Sequence, residues 1–358
     1  MKKICMIVPS FTAKGGIASV VSGYRNSELE KQYNIRYIET YTDKNKVCKV
    51  LKAISAYLKF LLCLIFWKPD LVHIHSSFNG SFYRKLPFIY LSSWWHKPIV
   101  NHVHGAEFEQ FYLKASGKKQ NKVKSAYLRC QKIVALSEEW KGNLSHIVSE
   151  DKIEVIENYS IIQDKERREP GQTILFLGFL CERKGCYDIP NVVKKVVAKY
   201  PDVRFVLAGS GSEADERKMK ELVRNNNIES NVLFPGWVRG NQKNDLLSDA
   251  DIFFLPSYNE GKPMAILDAM GYGLPIISTD VGGISNIVHN GENGYILIPG
   301  DIQGFADAIV KLLEDKELMI KMGKESLKII EQGYSLDAHI QKISDLYEHL
   351  LDISNINA

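Results

Sequence analysis

The sequence predicts an α/β protein of two Rossmann-like, doubly wound domains that face each other across a cleft. Short apolar runs rich in β-branched residues alternate with longer amphipathic stretches, a pattern typical of parallel sheets with helical crossovers. The pattern restarts after a polar segment, 163–172, that contains Pro170-Gly171. A chain of 358 residues is also long for one hydrophobic core and comfortable for two. We expect domains over residues 1–165 and 166–334, followed by an amphipathic helix over 335–358.

Each half contains six strand candidates with helix candidates between them. The first-half strands are Ile4–Val8, Ile35–Glu39, Leu71–His75, Ile99–His102, Lys132–Leu136 and Ile153–Ile156. The helices there are Ile17–Leu29, Val47–Trp67, Phe82–Trp95, Lys122–Arg129 and Glu138–Val148. The second-half strands are Thr173–Gly178, Arg204–Ala208, Val232–Phe234, Ile252–Leu255, Ile276–Thr279 and Gly294–Leu297. Its helices lie near 188–199, 214–226, 242–248, 263–271, 303–314 and 316–331.

Composition and charge narrow the classes of protein that fit. Six cysteines without a CxxC pair or a zinc-like His spacing indicate free thiols in a reducing cytosol. The apolar run at the start ends at Pro9, too short for a signal peptide, so it reads as the first strand. The net charge of +4 hides an asymmetry: residues 1–165 carry 25 basic and 14 acidic side chains, and the rest carry 21 and 28. A basic first half suits an anionic partner.

The most informative stretch runs from Leu255 to Pro275. An apolar strand ends at Leu255, a polar loop follows, and proline stands at the predicted helix start, where it is favoured. The first amides of that helix would form an anion site suited to a diphosphate. We therefore predict that the residues at the helix start contact a ligand that carries this diphosphate. They are Lys262, Pro263, Met264 and Ala265. Glu260 before the helix and Asp268 inside it could accept hydrogen bonds from sugar and ribose hydroxyls.

This stretch resembles the family 4 glycosyltransferases of the GT-B fold, which carry an acid, seven residues and a second acid in this setting. The resemblance implies a retaining enzyme that transfers a hexose or N-acetylhexosamine from a nucleotide-diphosphate sugar, without a metal ion or other cofactor. It implies that Glu260 contacts the transferred sugar and Asp268 the ribose. The family usually has Glu at the second position, so Asp268 is a departure. UDP is the expected donor nucleotide because it is the commonest in the family.

Other stretches of the second half extend the resemblance. Lys184 matches the lysine of the family's phosphate-binding loop, and Arg183 beside it offers a second cation for the departing diphosphate. Phe179 stands where the family often has an arginine. Gly209 and the pair Gly282-Gly283 follow strands and fit a close approach of backbone to the donor, and a plain turn is the alternative for the pair. Trp237 follows a strand where the family holds the base, and a core position is as good an explanation.

The first half offers further candidates by the same resemblance. Gly15 and Gly16 open a helix after the first strand, where donor phosphates could approach the backbone. His104, in the stretch 101–107, matches a histidine that approaches the reacting sugar and is our third catalytic candidate beside Glu260 and Lys184. His102 reads as core, and His75 either lines the acceptor side or is structural. The spacing is not GxGxxG, which disfavours a nicotinamide enzyme.

Three basic, partly aromatic segments of the first half suggest contact with an anionic membrane. They are the basic run Lys44–Lys59 leading into Leu61–Trp67, the run Lys114–Lys132, and Phe82–Trp95. The alternative is a set of core helices with solvated cationic faces. We expect a saccharide acceptor, lipid-linked in this interpretation, used in cell-surface polysaccharide synthesis on the cytoplasmic side of a membrane. Nucleic acid is disfavoured because no recognition module accompanies the charge.

Three alternatives remain from the sequence. Asp249-Ala-Asp251 has the form of a metal-binding DxD motif, but it ends a helix and enters a strand, so we interpret it as capping and packing. The departures at Asp268 and Phe179 allow a non-catalytic nucleotide-sugar-binding protein. A GT-B-fold nucleotide-sugar epimerase shares the expected architecture but lacks this acid-loop-helix motif.

Overall fold

The computed structural model describes residues 1–105, 108–163 and 169–356 and contains two compact units. The first comprises Met1–Asn158 together with the C-terminal segment that begins at Leu336, and the second comprises Tyr159–Ser335. The predicted domain boundary between residues 165 and 166 lies outside the described residues.

The first unit is a six-stranded parallel sheet in the order β2-β1-β3-β4-β5-β6. Its strands are β1 (Lys3–Val8), β2 (Asn34–Glu39), β3 (Leu71–Ser76), β4 (Ile99–Val103), β5 (Lys132–Ala135) and β6 (Ile153–Val155). Its helices up to this point are α1 (Gly16–Gly23), α2 (Glu28–Gln32), α3 (Lys46–Leu62), α4 (Gly80–Trp94), α5 (Gly117–Leu128) and α6 (Glu138–Ser145). Every strand begins within one residue of the position that its apolar run predicted.

The prediction of one helix over Ile17–Leu29 is wrong, because the chain forms two helices there. Helix α1 ends at Gly23, and Asn26 adopts a left-handed conformation with φ 59°, which no helix can continue through. Ser27 then starts α2 by accepting a hydrogen bond from the backbone N–H of Leu29. The break is local turn chemistry that the apolar periodicity does not reveal.

The long helix predicted over Val47–Trp67 ends earlier as an α-helix. Asn45 caps α3 by accepting from the N–H of Cys48 at 2.9 Å, and a π-helical turn, Cys63–Trp67, follows α3. Lys68 in a left-handed conformation ends the segment. By length and composition alone, Lys46–Trp67 could cross a membrane: an 18-residue stretch of it has a mean hydropathy of 1.8 and is 28% buried.

The second unit is also a six-stranded parallel sheet, in the order β12-β11-β10-β7-β8-β9. Its strands are β7 (Thr173–Leu177), β8 (Arg204–Ala208), β9 (Val232–Leu233), β10 (Ile252–Leu255), β11 (Ile276–Thr279) and β12 (Gly294–Leu297). Its helices are α7 (Ile189–Val197), α8 (Glu213–Asn225), α9 (Asn241–Asp249), α10 (Met264–Gly271), α11 (Ile302–Glu314) and α12 (Lys316–Gly333). The central strands of each sheet are buried at every residue and so on both faces, which confirms the doubly wound α/β class.

The C-terminal helix α13 (Leu336–Ile356) belongs to the first unit. Its buried face contacts that unit through aromatic and polar side chains: Tyr347 packs edge-on against Tyr33, and the carbonyl of Ser344 accepts a hydrogen bond from the Tyr33 hydroxyl at 3.4 Å. The helix therefore packs on the first unit through polar as well as apolar contacts.

Candidate functional site

Most of the predicted site residues lie at the carboxyl ends of β7 and β10 in the second unit. These two strands are hydrogen-bonded neighbours and run parallel, so the loops that follow them meet at the same edge of the sheet. The loop after β7 leads to a short 3-10 turn, Glu182–Lys184, and the loop after β10 leads to α10. Sheet topology therefore brings together two motifs that are 76 residues apart in the chain.

A buried ion pair joins the two loops. The Lys184 ammonium donates a hydrogen bond to Oε1 of Glu260, and the Ser257 hydroxyl donates to the same oxygen at 2.7 Å. Nη1 of Arg183 lies 3.8 Å from Oε2 of Glu260. Only 7% of Glu260 and 9% of Lys184 is exposed, a depth at which charges have to be paired and hydrogen-bonded. The structure therefore brings together Glu260, Lys184 and Arg183. The sequence predicted that Glu260 contacts the sugar and that the two cations contact the diphosphate of the same donor.

Hydrogen bonds to backbone carbonyls hold these two loops close together. The Arg183 guanidinium donates to the carbonyl of Asn259 at 2.8 Å, and the N–H of Tyr258 donates to the carbonyl of Arg183 at 2.9 Å. Gly185 has φ 68°, and a Cβ there would lie 1.9 Å from the Pro256 carbonyl oxygen. Glycine is therefore required for the loops to approach this closely.

The start of α10 follows Glu260 after three residues. Pro263 caps the helix in an extended conformation, and its carbonyl accepts the N–H groups of Ile266 and Leu267. The first amides of any α-helix have no intrahelical partner. Within the described ranges, no hydrogen bond from the N–H of Met264 or Ala265 is found, so both are available to an anion.

Three glycines predicted to approach a donor make close contacts within the second unit. Gly282 has φ 55°, and a Cβ there would lie 2.0 Å from the carbonyl oxygen of Glu260. The N–H of Gly283 donates to the carbonyl of Gly261 at 2.7 Å, so this turn supports the loop that carries the acid. A Cβ on Gly209 would lie 1.7 Å from the carbonyl oxygen of Gly178. Whether Gly209 also contacts a donor stays a prediction.

The other second-unit candidates have protein partners of their own. Asp268 forms an ion pair of 2.9 Å with Lys243 of α9, and both side chains are partly exposed. The Lys262 ammonium lies 3.2 Å from the Tyr334 hydroxyl and 4.4 Å from the centre of its ring. Ser257 and Lys243 were missed from the sequence. Ser257 stands three residues before Glu260, a local signal, whereas nothing in the sequence links Lys243 to Asp268.

Aromatic and acidic residues singled out in the sequence have structural partners as well. The rings of Phe179 and Trp237 lie 5.1 Å apart, so the residue that replaces the expected arginine packs on the tryptophan. The Asp251 carboxylate accepts hydrogen bonds from the N–H groups of Gly171 and Thr173 at 2.9 and 2.8 Å. These contacts agree with the interpretation of Asp249-Ala-Asp251 as capping and packing.

His104 lies in the first unit, directly after β4. Its Nε2 is 3.0 Å from Nδ1 of His75, and its ring is stacked on that of His102 with centroids 4.2 Å apart. Burial, with a smaller effect from His339, lowers the pKa of His104 to about 3. The imidazole is therefore neutral at neutral pH. Residues 106 and 107 of the histidine stretch lie outside the described residues.

The glycines at the start of α1 have open surroundings. Gly15 precedes the helix with φ 124°, a conformation that side chains rarely adopt, and Gly16 is the first helical residue. A Cβ on Gly15 would meet nothing within 4 Å among the described residues. Glycine is thus selected here by backbone conformation and not by crowding within the unit.

Comparisons with known proteins agree with the resemblance in the sequence. The model described as Glycosyltransferase Family 4 matches residues 13–159, and that described as Glycosyl transferases group 1 matches residues 158–329. An uncharacterised glycosyltransferase of Haemophilus influenzae is 29% identical over 220 residues, 61% of each chain. The UDP-Gal:alpha-D-GlcNAc-diphosphoundecaprenol alpha-1,3-galactosyltransferase of Escherichia coli is 35% identical over 147 residues, 41% of this chain and 37% of the relative. These matches span less than two thirds of the curated relatives' lengths.

A solved structure extends the comparison to almost the whole chain. The Anabaena protein HepE in complex with UDP and glucose superposes with a TM-score of 0.73 at 16% identity. The match covers 97% of this chain and 100% of that one. At this identity the likeness concerns the fold.

Proposed function

Because this chain belongs to glycosyltransferase family 4 and has the GT-B fold, we propose that it transfers a sugar from a nucleotide-diphosphate donor to a saccharide acceptor. The observation that carries the proposal is the buried Lys184–Glu260 pair beside the free amides at the start of α10. At one sheet edge, a cation and a helix N-terminus can bind a diphosphate, and a carboxylate can bind the hydroxyls of the sugar attached to it.

In this proposal the donor exchanges partners with the ion pair. The diphosphate takes the Lys184 ammonium and the α10 amides, and Arg183 adds a second cation. Glu260 is then free to accept hydrogen bonds from hydroxyls of the sugar, while its contact with Ser257 keeps it oriented. Lys184 exchanges one anion for another, and Glu260 exchanges the ammonium for sugar hydroxyls and keeps the Ser257 hydroxyl, so neither charged group loses its hydrogen bonds.

The chemistry follows from these roles. The bond between the anomeric carbon and the diphosphate breaks, a bond from that carbon to an acceptor hydroxyl oxygen forms, and the departing phosphate oxygen takes the hydroxyl proton. Lys184 and the helix amides stabilise the negative charge that develops on the diphosphate. We propose that the transfer retains the anomeric configuration and uses no metal ion, and that Asp268 contacts the ribose. The contact of His104 with the sugar stays a prediction from the resemblance.

The finer assignment of donor and acceptor rests on relatives. The HepE structure contains UDP and glucose, and the E. coli relative is named for a UDP-galactose donor and a diphosphoundecaprenol-linked acceptor. We therefore propose a UDP-hexose or UDP-N-acetylhexosamine as donor. The proposed acceptor is a lipid-linked saccharide, and the proposed process is the synthesis of a cell-surface glycan at the cytosolic face of a membrane.

The segment Lys46–Trp67 supports the membrane part of the proposal. One face of it is exposed and strongly apolar, and comprises Val47, Val50, Leu51, Ile54, Leu58, Leu62, Ile65 and Phe66. Phe66 is 77% exposed. The segment contains four lysines and no acidic residue. An apolar face bordered by lysines fits the surface of an anionic bilayer, where lysine ammonium groups reach the headgroups.

The opposite face of this segment favours a position in the plane of the interface over a membrane crossing. Ala56 and Phe60 are buried in the first unit, and Lys52 forms a 2.6 Å ion pair with Glu39 of β2. A spanning helix would have to leave these contacts. The check is flotation with vesicles: we expect binding to vesicles with anionic lipid, weakened by salt, and little binding to neutral ones. Absence of flotation on anionic vesicles would contradict the membrane proposal.

A two-part experiment tests the transferase proposal. Thermal-shift measurements with UDP, GDP and ADP sugars should identify one nucleotide that raises the Tm, since a ligand of the folded state stabilises it by mass action. That donor should then be hydrolysed slowly, with release of the nucleoside diphosphate, and Glu260→Ala should abolish hydrolysis. Binding without turnover would indicate a non-catalytic protein, and interconversion of free nucleotide sugars would indicate an epimerase.

A further inference from the structure

Four histidines form a compact group on one face of the first sheet. His73 and His75 are two residues apart on β3, and His102 and His104 are two apart at the end of β4, so all four side chains leave the same face. The strands are parallel, with His75 directly opposite His102. Neighbouring ring centroids lie between 4.2 and 5.6 Å apart.

Several nitrogens of this group lack a hydrogen-bond partner. Nε2 of His73, Nε2 of His75 and both ring nitrogens of His102 are buried with none among the described residues. All three residues are 0% exposed. A buried polar atom left without a partner costs about 1–3 kcal/mol, so a group of them calls for an occupant.

The remaining nitrogens of His73 and His75 are held in place. Nδ1 of His73 lies 2.5 Å from the Tyr347 hydroxyl, and Nδ1 of His75 lies 3.0 Å from Nε2 of His104. In metal sites, a ligating histidine typically uses its second nitrogen in this way, which fixes the ring and selects the tautomer. In the tautomer with the proton on Nδ1, the Nε2 atom of each residue presents an oriented lone pair.

We propose that His73, His75 and His102 bind a divalent transition-metal ion of the zinc class. Their ligand nitrogens all lie within 4.8 Å of one another. A tetrahedral ion with Zn–N bonds of about 2.0–2.1 Å needs them about 3.3 Å apart. The three rings are stacked, with planes within 28° of one another, so binding requires the imidazoles to tilt until their lone pairs converge on the ion. Three imidazoles suit zinc, cobalt or nickel better than magnesium or calcium, which prefer oxygen ligands.

The charge around the site bears on the fourth ligand. All three imidazoles are fully buried, so an ion bound to them would lie away from solvent. The other groups that act on these rings, His104, His339 and Lys85, are neutral or basic. None of these described groups is a carboxylate, so the proposed fourth ligand is an anion such as hydroxide, which would offset part of the ion's charge.

Metal binding can be measured on the full-length protein without any sugar donor. Chelator-treated protein is titrated with Zn²⁺ while the Tm is followed, and with Co²⁺ while visible absorption is followed. We expect one ion per chain, the intense visible bands of tetrahedral Co²⁺, and a Tm rise of about 5–10 °C at a free Zn²⁺ concentration 100 times the Kd. These readouts are separate from sugar transfer, so failure of one proposal leaves the other intact.

Two variants locate the ion. His102→Leu should abolish both the Co²⁺ bands and the Tm rise, and His73→Gln should do the same if the leucine variant fails to fold. The matched control is His146→Gln, an exposed histidine of the same unit, which should bind as the wild type does. The proposal is wrong if Zn²⁺ leaves the wild-type Tm unchanged, as it would with ordered water in the cluster. Equal Co²⁺ binding by wild type and folded His102→Leu also overturns it.

Discussion

Both units have polar residues toward the carboxyl ends of parallel strands, but those of the second unit are charged and those of the first are neutral. In the second unit, Lys184 and Glu260 are buried as an ion pair whose charges cancel. In the first, burial drives His73, His75 and His102 to the neutral form, and their unused nitrogens have no partner among the described residues. Both arrangements avoid an isolated buried charge, one by pairing and the other by neutralisation.

The difference predicts different responses to ligands. A paired cation and anion can each accept a new partner of opposite charge or a hydroxyl, which suits a charged substrate such as a nucleotide sugar. A group of neutral imidazoles responds instead to protons and metal ions. The surfaces differ in a related way, because the first unit exposes the apolar and basic face of Lys46–Trp67. The expected effects below are ordered from the largest to the smallest.

Removing the cation of the ion pair should have the largest effect. Lys184→Met keeps much of the side-chain volume but leaves Glu260 as a buried charge held by Ser257 and the more distant Arg183. It also removes a stabilising charge from the leaving diphosphate, so we expect kcat/KM to fall about 10²–10³-fold. Steady-state kinetics with the donor identified by thermal shift measures this.

The control for that prediction is Lys199→Met, which breaks an exposed ion pair with Glu314 in the same unit. Exposed pairs contribute little, so activity and Tm should stay near wild type. If both variants behave alike, the buried pair has no special role. The double variant Lys184→Met/Glu260→Gln should recover Tm relative to Lys184→Met without recovering activity, because it removes the lone charge but not the need for the cation.

The exposed face of Lys46–Trp67 should control membrane binding. Replacing Leu58, which is 58% exposed, with glutamate removes an apolar contact and adds a negative charge against an anionic surface. We expect vesicle affinity to fall about 10–100-fold with an unchanged Tm. Ile298→Glu is the control, since Ile298 is 75% exposed in the second unit. Equal losses in both variants would show that this face is not the binding surface.

The neutral histidines should make stability depend on acid. Folded-state pKa values of about 3 for His73 and about 4 for His339 lie below the ordinary 6.5, so the unfolded chain binds more protons below pH 6.5. These histidines therefore leave the free energy of unfolding undiminished above pH 6.5. Below it, toward pH 4, each imidazole lowers that free energy by up to about 1.4 kcal/mol per pH unit. Urea unfolding at several pH values should show this slope, reduced in His102→Leu and unchanged in His146→Gln. A slope that His102→Leu leaves intact would contradict the assignment.

Changing the Asp268 pair should have the smallest effect. Lys243→Ala frees the Asp268 carboxylate, and because both side chains are partly exposed the pair contributes little to stability. If Asp268 binds the ribose, its release should change KM for the donor by less than about tenfold while kcat stays constant. A large drop in kcat would instead place Lys243 near the reacting groups.

The fold was largely predictable because its elements have strong local signals. The predicted bounds of Arg204–Ala208, Ile252–Leu255 and Ile276–Thr279 coincide with those of the strands. Fully buried parallel strands read as continuous apolar runs, which few other elements imitate. The break at Asn26 was missed because one left-handed residue leaves no trace in the apolar pattern.

The site was predictable only as separate motifs. Glu260 and Lys184 could be chosen from the loops that carry them, but their ion pair depends on β7 being the neighbour of β10. Strand order is a property of the tertiary fold and is not encoded in any single motif. The same reason hid the group formed by His73, His75 and His102, since the sequence alone does not show that β3 and β4 are adjacent.

The turn at Gly282 and Gly283 helps to set the position of Glu260, although the two lie far apart in the sequence. Any side chain at 282 would collide with the backbone carbonyl of Glu260, so the position of Glu260 depends on backbone 22 residues downstream. Altering donor preference in the laboratory therefore need not touch the acid itself. Libraries built around the 282–283 turn would move the backbone that carries Glu260, and with it the set of sugar hydroxyls that its carboxylate can reach.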